Sequence, residues 1–407
     1  MSFKEVSSLR KEGKLSDALE LAEKDYAQSQ DRWSAASLFW VYFSILKSKN
    51  PEAFGKLWKM GEKMLSLSEQ MEVDDIVSQS LENSLVHISG HCVRLCRLGG
   101  DAAPESMLGF LSSAVKRFPD NVFLIRALAA AQRSSGNNEA ALSSFRRVLK
   151  MKNDGYLWGE LYDFVEDDAV RESALCKAML AQPKPEFTGK IRLKLSCVLI
   201  RAKDYGRAAY ELKQYEDTYK RNSWHLSADY FKILRFIPSG TVQVKTGKQY
   251  YSSHVSLVEE FVYQDIPSQL MVPLLLRPGK PKGGRPGVGW LILADRKGRV
   301  VNVALSKAGV SEGNCMDRAF EVRSSKSGGG PRQIVSCVPQ ASLPEWRDDV
   351  RIFSGKAVSK KDRSGNAYAL VGECFVSPQM ASRIDAFKEA SVVAVRKNGR
   401  WRATFIL

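Results

Sequence analysis

Two histidines and two cysteines lie close together in the segment HISGHCVRLC, and both residue types bind zinc in proteins. His87 and His91 are four residues apart, as are Cys92 and Cys96, so each pair can face one side of a helix. Adjacent residues such as His91 and Cys92 differ by about 100° around a helix, so the four side chains cannot converge on one ion. We therefore expect packed thiols in a helix and no metal site.

The sequence contains no recognisable catalytic motif. It has only four histidines and no G-x-S-x-G, no H-E-x-x-H and no paired-carboxylate signature. The glycine-rich patterns that cradle phosphates in nucleotide-binding enzymes are also missing. We therefore expect a protein that is not an enzyme and that uses no cofactor.

A second set of residues, aromatic and basic, is concentrated between residues 348 and 407. Exposed rings stack on bases at roughly 1–3 kcal/mol per base, while Lys and Arg contact phosphates. The combination predicts a surface for single-stranded nucleic acid. The alternative is that the rings form a core and the charges a solvated face, because strand alternation does not tell which face is inside. The candidate binding residues are Phe353, Lys356, Lys360, Lys361, Tyr368, Phe375, Arg400, Trp401 and Arg402.

Short β-rich runs carry these residues. Gly, Asn, Asp and Ser bound each run, and a helix-like segment follows the run around Phe375. Five short strands with one helix between the third and the fourth are typical of an OB-type barrel. We therefore predict such a barrel over 348–407. Its strands are expected at 350–358, 367–371, around Phe375, 392–395 and 401–407.

The residue order in this region resembles the cold-shock and S1-like class of OB folds. The matching stretches are Phe353-x-Gly355-x-Ala357-x3-Lys361, Asn366-Ala367-Tyr368-Ala369-Leu370-Val371 and Glu373-Cys374-Phe375-Val376-Ser377. That family carries two aromatic motifs, roughly G-[FY]-G-F-[IV] and D-V-F-V-H, whose rings stack on bases. The resemblance implies that Tyr368 and Phe375 are stacking rings.

The chain also departs from the family pattern at several positions. Ala369 and Leu370 stand where the family has Gly and an aromatic residue. Glu373 and Ser377 stand where it has Asp and His. These departures would weaken base stacking more than they would disturb the barrel.

Residues 1–237 are predicted to be helical throughout, because apolar residues recur at spacings of three and four and proline is scarce. Pro119 lies 34 residues before Asn153, and the unit between them resembles a tetratricopeptide repeat, with small Ala129, Gly136 and Ala141 where two helices meet. We predict an α-solenoid of stacked helix pairs whose concave face binds a protein partner. An irregular helical bundle is the alternative.

The pattern changes near residue 238, where we expect a second, small β-rich domain over 238–347. TVQVKTG and LMVPLLL are predicted strands, SHVSLVEEFVYQ a helix, and GWLILA with RVVNVALS a hairpin. The basic, glycine-rich loops 277–289 and 324–332 are interpreted as tethers or as contacts to phosphate. The predicted fold class is multidomain α + β: an N-terminal α-solenoid of helix pairs followed by a β-rich, OB-like C-terminal part.

Composition agrees with a globular protein of two or three domains. The chain has 407 residues and a net charge of +16, and residues 238–407 hold 26 Lys and Arg against 14 Asp and Glu. The seven cysteines are scattered and odd in number, which indicates reduced thiols. No apolar run is long enough for a membrane span, and the first residues lack a signal core. We expect a cytoplasmic protein that does not contact membranes.

Two hypotheses about function follow. In the first, the chain is a non-catalytic adaptor whose barrel binds single-stranded RNA or DNA, with RNA favoured, and whose helical repeats bind a protein partner. This architecture is similar to that of accessory proteins of bacterial conflict or anti-phage systems. In the second, the chain is a protein–protein interaction scaffold with no nucleic-acid role, and its positive charge serves solubility or acidic partners.

Overall fold

The computed structural model describes residues 2–71, 74–98, 102–182, 184–279, 287, 289–326, 332–361, 367–384 and 389–407. Contacts between residues divide the chain into two compact units, Met1–Val262 and Tyr263–Leu407. The first unit is helical and the second is built on two β-sheets. The expected multidomain α + β arrangement is confirmed.

Helices that follow one another in sequence pack on one another through the first unit, as in a solenoid of helix pairs. Short 3₁₀ turns at Pro51–Phe54, Tyr162–Phe164 and Pro185–Phe187 lie between some of them. None of the helices in the described ranges combines the length and the apolar character that a bilayer crossing requires. The helices are α1 (Ser2–Lys11), α2 (Leu15–Ser29), α3 (Arg32–Leu46), α4 (Leu57–Gln70), α5 (Asp75–Leu98), α6 (Glu105–Arg117), α7 (Val122–Ser134), α8 (Asn138–Met151), α9 (Gly155–Leu161), α10 (Asp168–Ala181), α11 (Gly189–Arg201), α12 (Tyr205–Arg221), α13 (Ala228–Leu234), α14 (Lys248–Ser253) and α15 (Ser256–Tyr263).

The helix pair α7 and α8 forms where the 34-residue unit predicts it. The Asn121 side chain accepts a hydrogen bond from the backbone N–H of Leu124 at 3.2 Å and so caps the start of α7. Gly136 takes a positive φ of 80° in the turn between the helices, a conformation that glycine adopts without strain. Ala129 and Ala141 are fully buried, so the small residues allow the two helices to approach closely.

Residues 238–262 belong to the helical unit, although the sequence suggested a strand at 241–247. No strand forms there; instead the backbone N–H of Val244 donates to the Gly206 carbonyl at 3.0 Å, at the start of α12. Further along, the backbone N–H of Val258 donates to the Ser173 hydroxyl on α10 at 2.9 Å. The segment thus lies back along α10 and α12.

A buried carboxylate holds this segment in place. Glu211 on α12 is fully buried and forms an ion pair with Arg192 on α11. Its Oε1 accepts hydrogen bonds from the Tyr251 hydroxyl at 2.5 Å and from the Thr246 hydroxyl. We call these four side chains the Glu211 clamp. A buried charge is tolerated only when it is paired and hydrogen-bonded in this way, so the clamp joins residues 238–262 to the helices.

The second unit begins with an open antiparallel sheet in the order β3-β2-β1-β4-β5. The predicted hairpin is confirmed: Trp290 on β2 lies opposite Ala304 on β3. A short helix, α16 (Leu305–Ala308), and a 3₁₀ turn at Glu312–Asn314 follow β3. The strands are β1 (Gln269–Arg277), β2 (Trp290–Asp295), β3 (Val300–Ala304), β4 (Phe320–Lys326) and β5 (Arg332–Pro339).

A closed five-stranded barrel follows, as predicted, after a 3₁₀ turn at Glu345–Asp349. Its strands close in the order β10-β8-β7-β6-β9, where β10 and β8 are parallel and the other neighbours are antiparallel. A short helix, α17 (Pro378–Ala381), lies between β8 and β9. The strands are β6 (Val350–Lys361), β7 (Ala367–Val371), β8 (Cys374–Val376), β9 (Glu389–Lys397) and β10 (Arg400–Ile406).

One outer face of the barrel packs against the open sheet. Buried Val350, Val393 and Val395 form an apolar cluster with Ala294 of β2, and we call this cluster the sheet–barrel seam. The Thr404 hydroxyl adds a hydrogen bond to the Gly298 carbonyl at 3.0 Å. The outer face formed by β7, β8 and the second half of β6 is exposed, and we call it the open face.

Candidate nucleic-acid interface

Strand alternation sorts the residues of β7 and β8 between the barrel core and the open face. Ala369, Val371, Cys374 and Val376 are buried in the core. The residues between them therefore point outwards, because successive side chains of a strand face opposite sides. The outward residues include Tyr368, Leu370 and Phe375, of which Phe375 is 38% exposed.

The two rings implied by the cold-shock resemblance come together on the open face. The rings of Tyr368 and Phe375 lie 5.2 Å apart between centroids and are tilted by 34°. The register of the sheet explains this, since Leu370 is opposite Phe375 and Tyr368 is its diagonal neighbour. Such a pair offers partly exposed aromatic surface on which bases could stack.

The other two candidate rings point into the barrel. Trp401 is only 8% exposed and belongs to the barrel core, and Phe353 is half-buried against that core. Their ring centroids are 5.2 Å apart at an angle of 60°. The Arg351 guanidinium lies 5.5 Å from the Trp401 ring. Phe353 and Trp401 therefore support the barrel, and their rings are not free surface for stacking.

A groove of about 1140 Å³ runs along this side of the barrel. It gathers five of the nine candidate residues, namely Lys361, Tyr368, Phe375, Arg400 and Trp401. The remaining lining comes from the ends of β6 and β7, from α17 and from the β9–β10 hairpin: Ser359, Ala367, Leu370, Glu373, Pro378, Ala381, Ser382 and Gly399. Phe353, Lys356, Lys360 and Arg402 do not line the groove.

The candidate cations of the barrel are exposed and form no ion pair with a described carboxylate. Lys360 is opposite Tyr368 across β6 and β7, and Arg402 is opposite Phe375 across the parallel pair of β10 and β8. Among the described residues, no carboxylate lies within 4.0 Å of the charged groups of these cations: Lys356, Lys360, Lys361, Arg400 and Arg402. Their charge is therefore available to an anionic ligand.

Three residues of this surface, Val358, Leu370 and Glu373, were not among the binding residues predicted from the sequence. Val358, which is 51% exposed, lies opposite Leu370 on the open face, and Glu373 places a carboxylate in the groove. A signal for Leu370 and Glu373 existed, because both stand at positions where the family has motif residues. Val358 could have been found from alternation, since it lies two residues before Lys360.

The histidine and cysteine cluster is divided between the surface and the interior of α5. His87 is exposed, whereas His91 and Cys92 are buried in α5, and His91 Nδ1 is 2.9 Å from Glu52 Oε1. Burial lowers the pKa of His91 and raises the pKa of the Cys92 thiol to about 12. Across the described parts of the chain, no three His, Cys, Asp or Glu side chains are grouped to hold a metal ion. All seven cysteines are free thiols.

The helical unit has a smaller polar pocket of about 450 Å³ between α5, α7, α8 and α9. Glu160 occupies it and binds Arg97 and Arg126, with Arg126 Nε donating to Glu160 Oε2 at 2.6 Å. Burial alone would raise the pKa of Glu160, but the two arginines outweigh it and hold the pKa below its usual value. The predicted basic loops, 277–289 and 324–332, lie largely outside the described residues.

Part of the chain is similar to a known protein family. A family described as a domain of unknown function (DUF7017) matches residues 123–257, which lie within the helical unit. No curated protein matches the chain. The barrel lies outside the matched residues.

Proposed function

We propose that the chain is a non-catalytic adaptor that binds single-stranded nucleic acid through the open face of its barrel, with RNA favoured over DNA. The observation that carries the proposal is the groove itself. It combines the Tyr368 and Phe375 ring pair with Lys361 and Arg400, neither of which forms an ion pair with a described carboxylate, and one carboxylate, Glu373, lines the same groove. Stacking and phosphate contact are the two contributions that sequence-tolerant single-strand binding requires.

The strand order supports an OB-type barrel. In this barrel the first, second and third strands are antiparallel neighbours, and the third and fifth strands are parallel. The fourth strand pairs with the first and with the fifth. OB folds bind oligonucleotides on the face of their second and third strands and on neighbouring loops. Here those strands are β7 and β8, and Gly399 in the β9–β10 hairpin lines the same groove.

The helical unit would supply the second half of the adaptor. Stacked helix pairs leave an extended concave surface, and proteins of this kind use that surface to bind other proteins. The resemblance to a tetratricopeptide repeat adds to this interpretation. The similarity in architecture to accessory proteins of bacterial conflict or anti-phage systems suggests the biological setting of the adaptor.

Binding of labelled single strands at two salt concentrations tests the proposal. We expect the full chain to bind unstructured RNA and DNA oligonucleotides of one sequence, measured by fluorescence anisotropy, and to bind more weakly as salt rises. Tyr368→Ala with Phe375→Ala should weaken binding by roughly 1–3 kcal/mol per stacked base and leave the salt slope nearly unchanged, because stacking releases no counterions. Phe405→Ala is the matched control, since this ring is 45% exposed but lies outside the groove.

Removing positive charge from the barrel should change the salt dependence of binding, which the ring variant leaves nearly unchanged. Replacing Lys360, Lys361, Arg400 and Arg402 by Ala should lower affinity and flatten the dependence of log K on log salt by up to about 0.7 per lost phosphate contact. A control that removes the same net charge from exposed lysines of the helical unit should leave the slope unchanged. The control residues are Lys4, Lys11, Lys24 and Lys59.

Two outcomes would speak against nucleic-acid binding. If neither RNA nor DNA binds at low salt, the hypothesis of a protein–protein interaction scaffold is favoured. Exposed Val358 and half-buried Leu370 then become the informative residues, because aliphatic side chains suit a polypeptide ligand better than a base. If the ring variant loses its folded circular dichroism spectrum, the rings are part of the core and the open face does not bind by stacking.

A further inference from the structure

The last helix of the consecutive stack, α13, exposes large apolar side chains. Phe231 is 49% exposed, Leu234 42% and Phe236, just beyond the helix, 66%. Trp224, shortly before the helix, is 45% exposed. We call these four residues the α13 surface. Large apolar side chains that are clustered and exposed mark interaction sites more often than isolated ones do.

The opposite side of α13 is apolar as well. Tyr230 is buried, and Ile233 and Ile237 pack with it against Leu212 and Tyr215 of the helical unit. The outer side of α13 carries exposed Phe231 and Leu234 together with the charged residues Asp229 and Lys232. The helix therefore has one fully apolar side that packs on the helical unit and one mixed side that faces outwards.

A series of aromatic contacts links the two ends of this surface. The Trp224 ring lies 5.3 Å from Tyr219, which stacks on Tyr215 at 4.1 Å. Tyr215 stacks on Tyr230 at 5.5 Å, and the Tyr230 ring lies 5.2 Å from Phe231. Contact with this series restrains the Trp224 and Phe231 rings, so these two side chains lose little further freedom on binding.

The surroundings of the α13 surface are basic. Residues 213–248 contain seven Lys and Arg against three acidic residues, and two of the three, Glu216 and Asp217 on α12, form ion pairs with Lys213 and Lys220. Arg221, Lys232 and Arg235 are exposed beside the apolar side chains, and Lys232 is 3.6 Å from Asp229. A ligand with acidic flanks would complement this rim, whereas a second copy of the same surface would meet like charge.

We propose that the α13 surface docks an amphipathic helix of a partner protein, with an apolar face flanked by Asp and Glu. Stacking by such a helix would cover Phe231 and Leu234 as the next helix of a solenoid would. The proposal does not depend on nucleic-acid binding.

Synthetic peptides test the proposal on the full chain. The probe is an 18-residue helical peptide with Leu along one face and Glu on both flanks, and the comparison peptide carries Lys in place of each Glu. We expect the acidic peptide to bind and the lysine peptide to bind at least about 10-fold more weakly, measured by fluorescence anisotropy. Phe231→Ser with Phe236→Ser should abolish binding. Ile76→Ser on α5, where the side chain is 68% exposed, is the matched control and should not affect it.

Charge reversal keeps the test decisive if the serine variant is unstable. Lys232→Glu with Arg235→Glu leaves the apolar side chains in place and should reverse the preference towards the lysine peptide. Failure of the acidic peptide to bind the native chain, or equal binding of the two peptides, would overturn the proposal. So would a dimer in sedimentation that Phe231→Ser with Phe236→Ser dissolves, or a loss of RNA binding in that variant, since the occupant would then be a second copy or a nucleic acid.

Discussion

Charged side chains of the helical unit form ion pairs within the fold, whereas the candidate cations of the barrel do not pair with described carboxylates. In the helical unit, Glu211 and Glu160 bind arginines inside the fold, and Asp168 binds Arg201 at 2.6 Å on its surface. In the barrel, Lys361 and Arg400 border the groove, and no carboxylate of the described residues pairs with them. Charge in the first region therefore stabilises the fold, whereas charge in the second remains available for a ligand. The predictions below test that difference.

Truncation at residue 237, which removes Thr246 and Tyr251 from the Glu211 clamp, is expected to have the largest effect on stability. A fragment 1–237 lacks Thr246 and Tyr251, so buried Glu211 loses two hydrogen bonds that fragment 1–262 retains. Hydrogen bonds to charged groups contribute about 1.5–3 kcal/mol each, so we expect the shorter fragment to be less stable by about 3–6 kcal/mol. Urea unfolding followed at 222 nm measures the difference. Equal stability of the two fragments would mean that residues 238–262 are not part of the helical unit.

Glu211→Ala should destabilise the helical unit of the full chain by about 3–5 kcal/mol, because it leaves the largely buried Arg192 without a counter-charge. Asp229→Ala breaks an ion pair in which both side chains are more than 70% exposed, and it should cost less than about 0.5 kcal/mol. Chemical denaturation of both variants checks the contrast. Similar values for the two would show that the clamp is not a structural charge pair.

Within the barrel, inward and outward rings should differ in stability as well. Trp401→Ala removes a core side chain and should destabilise the second unit by about 3–5 kcal/mol. Phe375→Ala removes a ring from the open face and should cost about 1 kcal/mol or less. Thermal unfolding followed by near-ultraviolet circular dichroism reports on both. A large cost for Phe375→Ala would place that ring in the core.

The smallest expected effect concerns pH. Since the arginines hold the pKa of Glu160 below its ordinary value of 4.5, the charged carboxylate stabilises the fold above pH 4.5. That contribution is lost as pH falls through the lowered pKa of the folded state. Glu160→Gln should therefore be less stable than the native chain by about 1–2 kcal/mol at pH 7, and the difference should shrink below pH 4.5. Melting curves between pH 7 and pH 3 would contradict this if the difference stayed constant.

Local patterns predicted much of the fold. The capping residue Asn121 and the small residues Ala129 and Ala141 specify a helix pair through contacts within about 30 residues, so the pair was predictable. The barrel strands were likewise marked by β-branched runs between turn residues. Tyr368 and Phe375 were expected on adjacent strands because the chain resembles the cold-shock pattern there, and the structure places them on β7 and β8.

The structure of residues 241–247 and the burial of Trp401 could not be predicted, because both depend on contacts between residues far apart in sequence. Val242 and Val244 alternate with polar residues as in a strand. However, 241–247 has no strand neighbour in the described structure and lies beside the start of α12. Its position depends on the hydrogen bonds of Thr246 and Tyr251 to Glu211, which lies 35 and 40 residues before them in sequence. For Trp401, alternation gives the period of a strand but not which side is inside, so its burial could not be known in advance.

The sheet–barrel seam limits how the barrel could be used outside its own chain. Val350, Val393 and Val395 are buried because the open sheet covers them, and a methyl group added at Gly298 would overlap the Thr404 side chain, so the two surfaces fit closely. A barrel grafted alone onto another protein would expose this apolar strip to water in addition to the open face. Grafts that keep residues 263–407 together should stay soluble, whereas grafts of 348–407 should aggregate unless the strip is redesigned with polar residues.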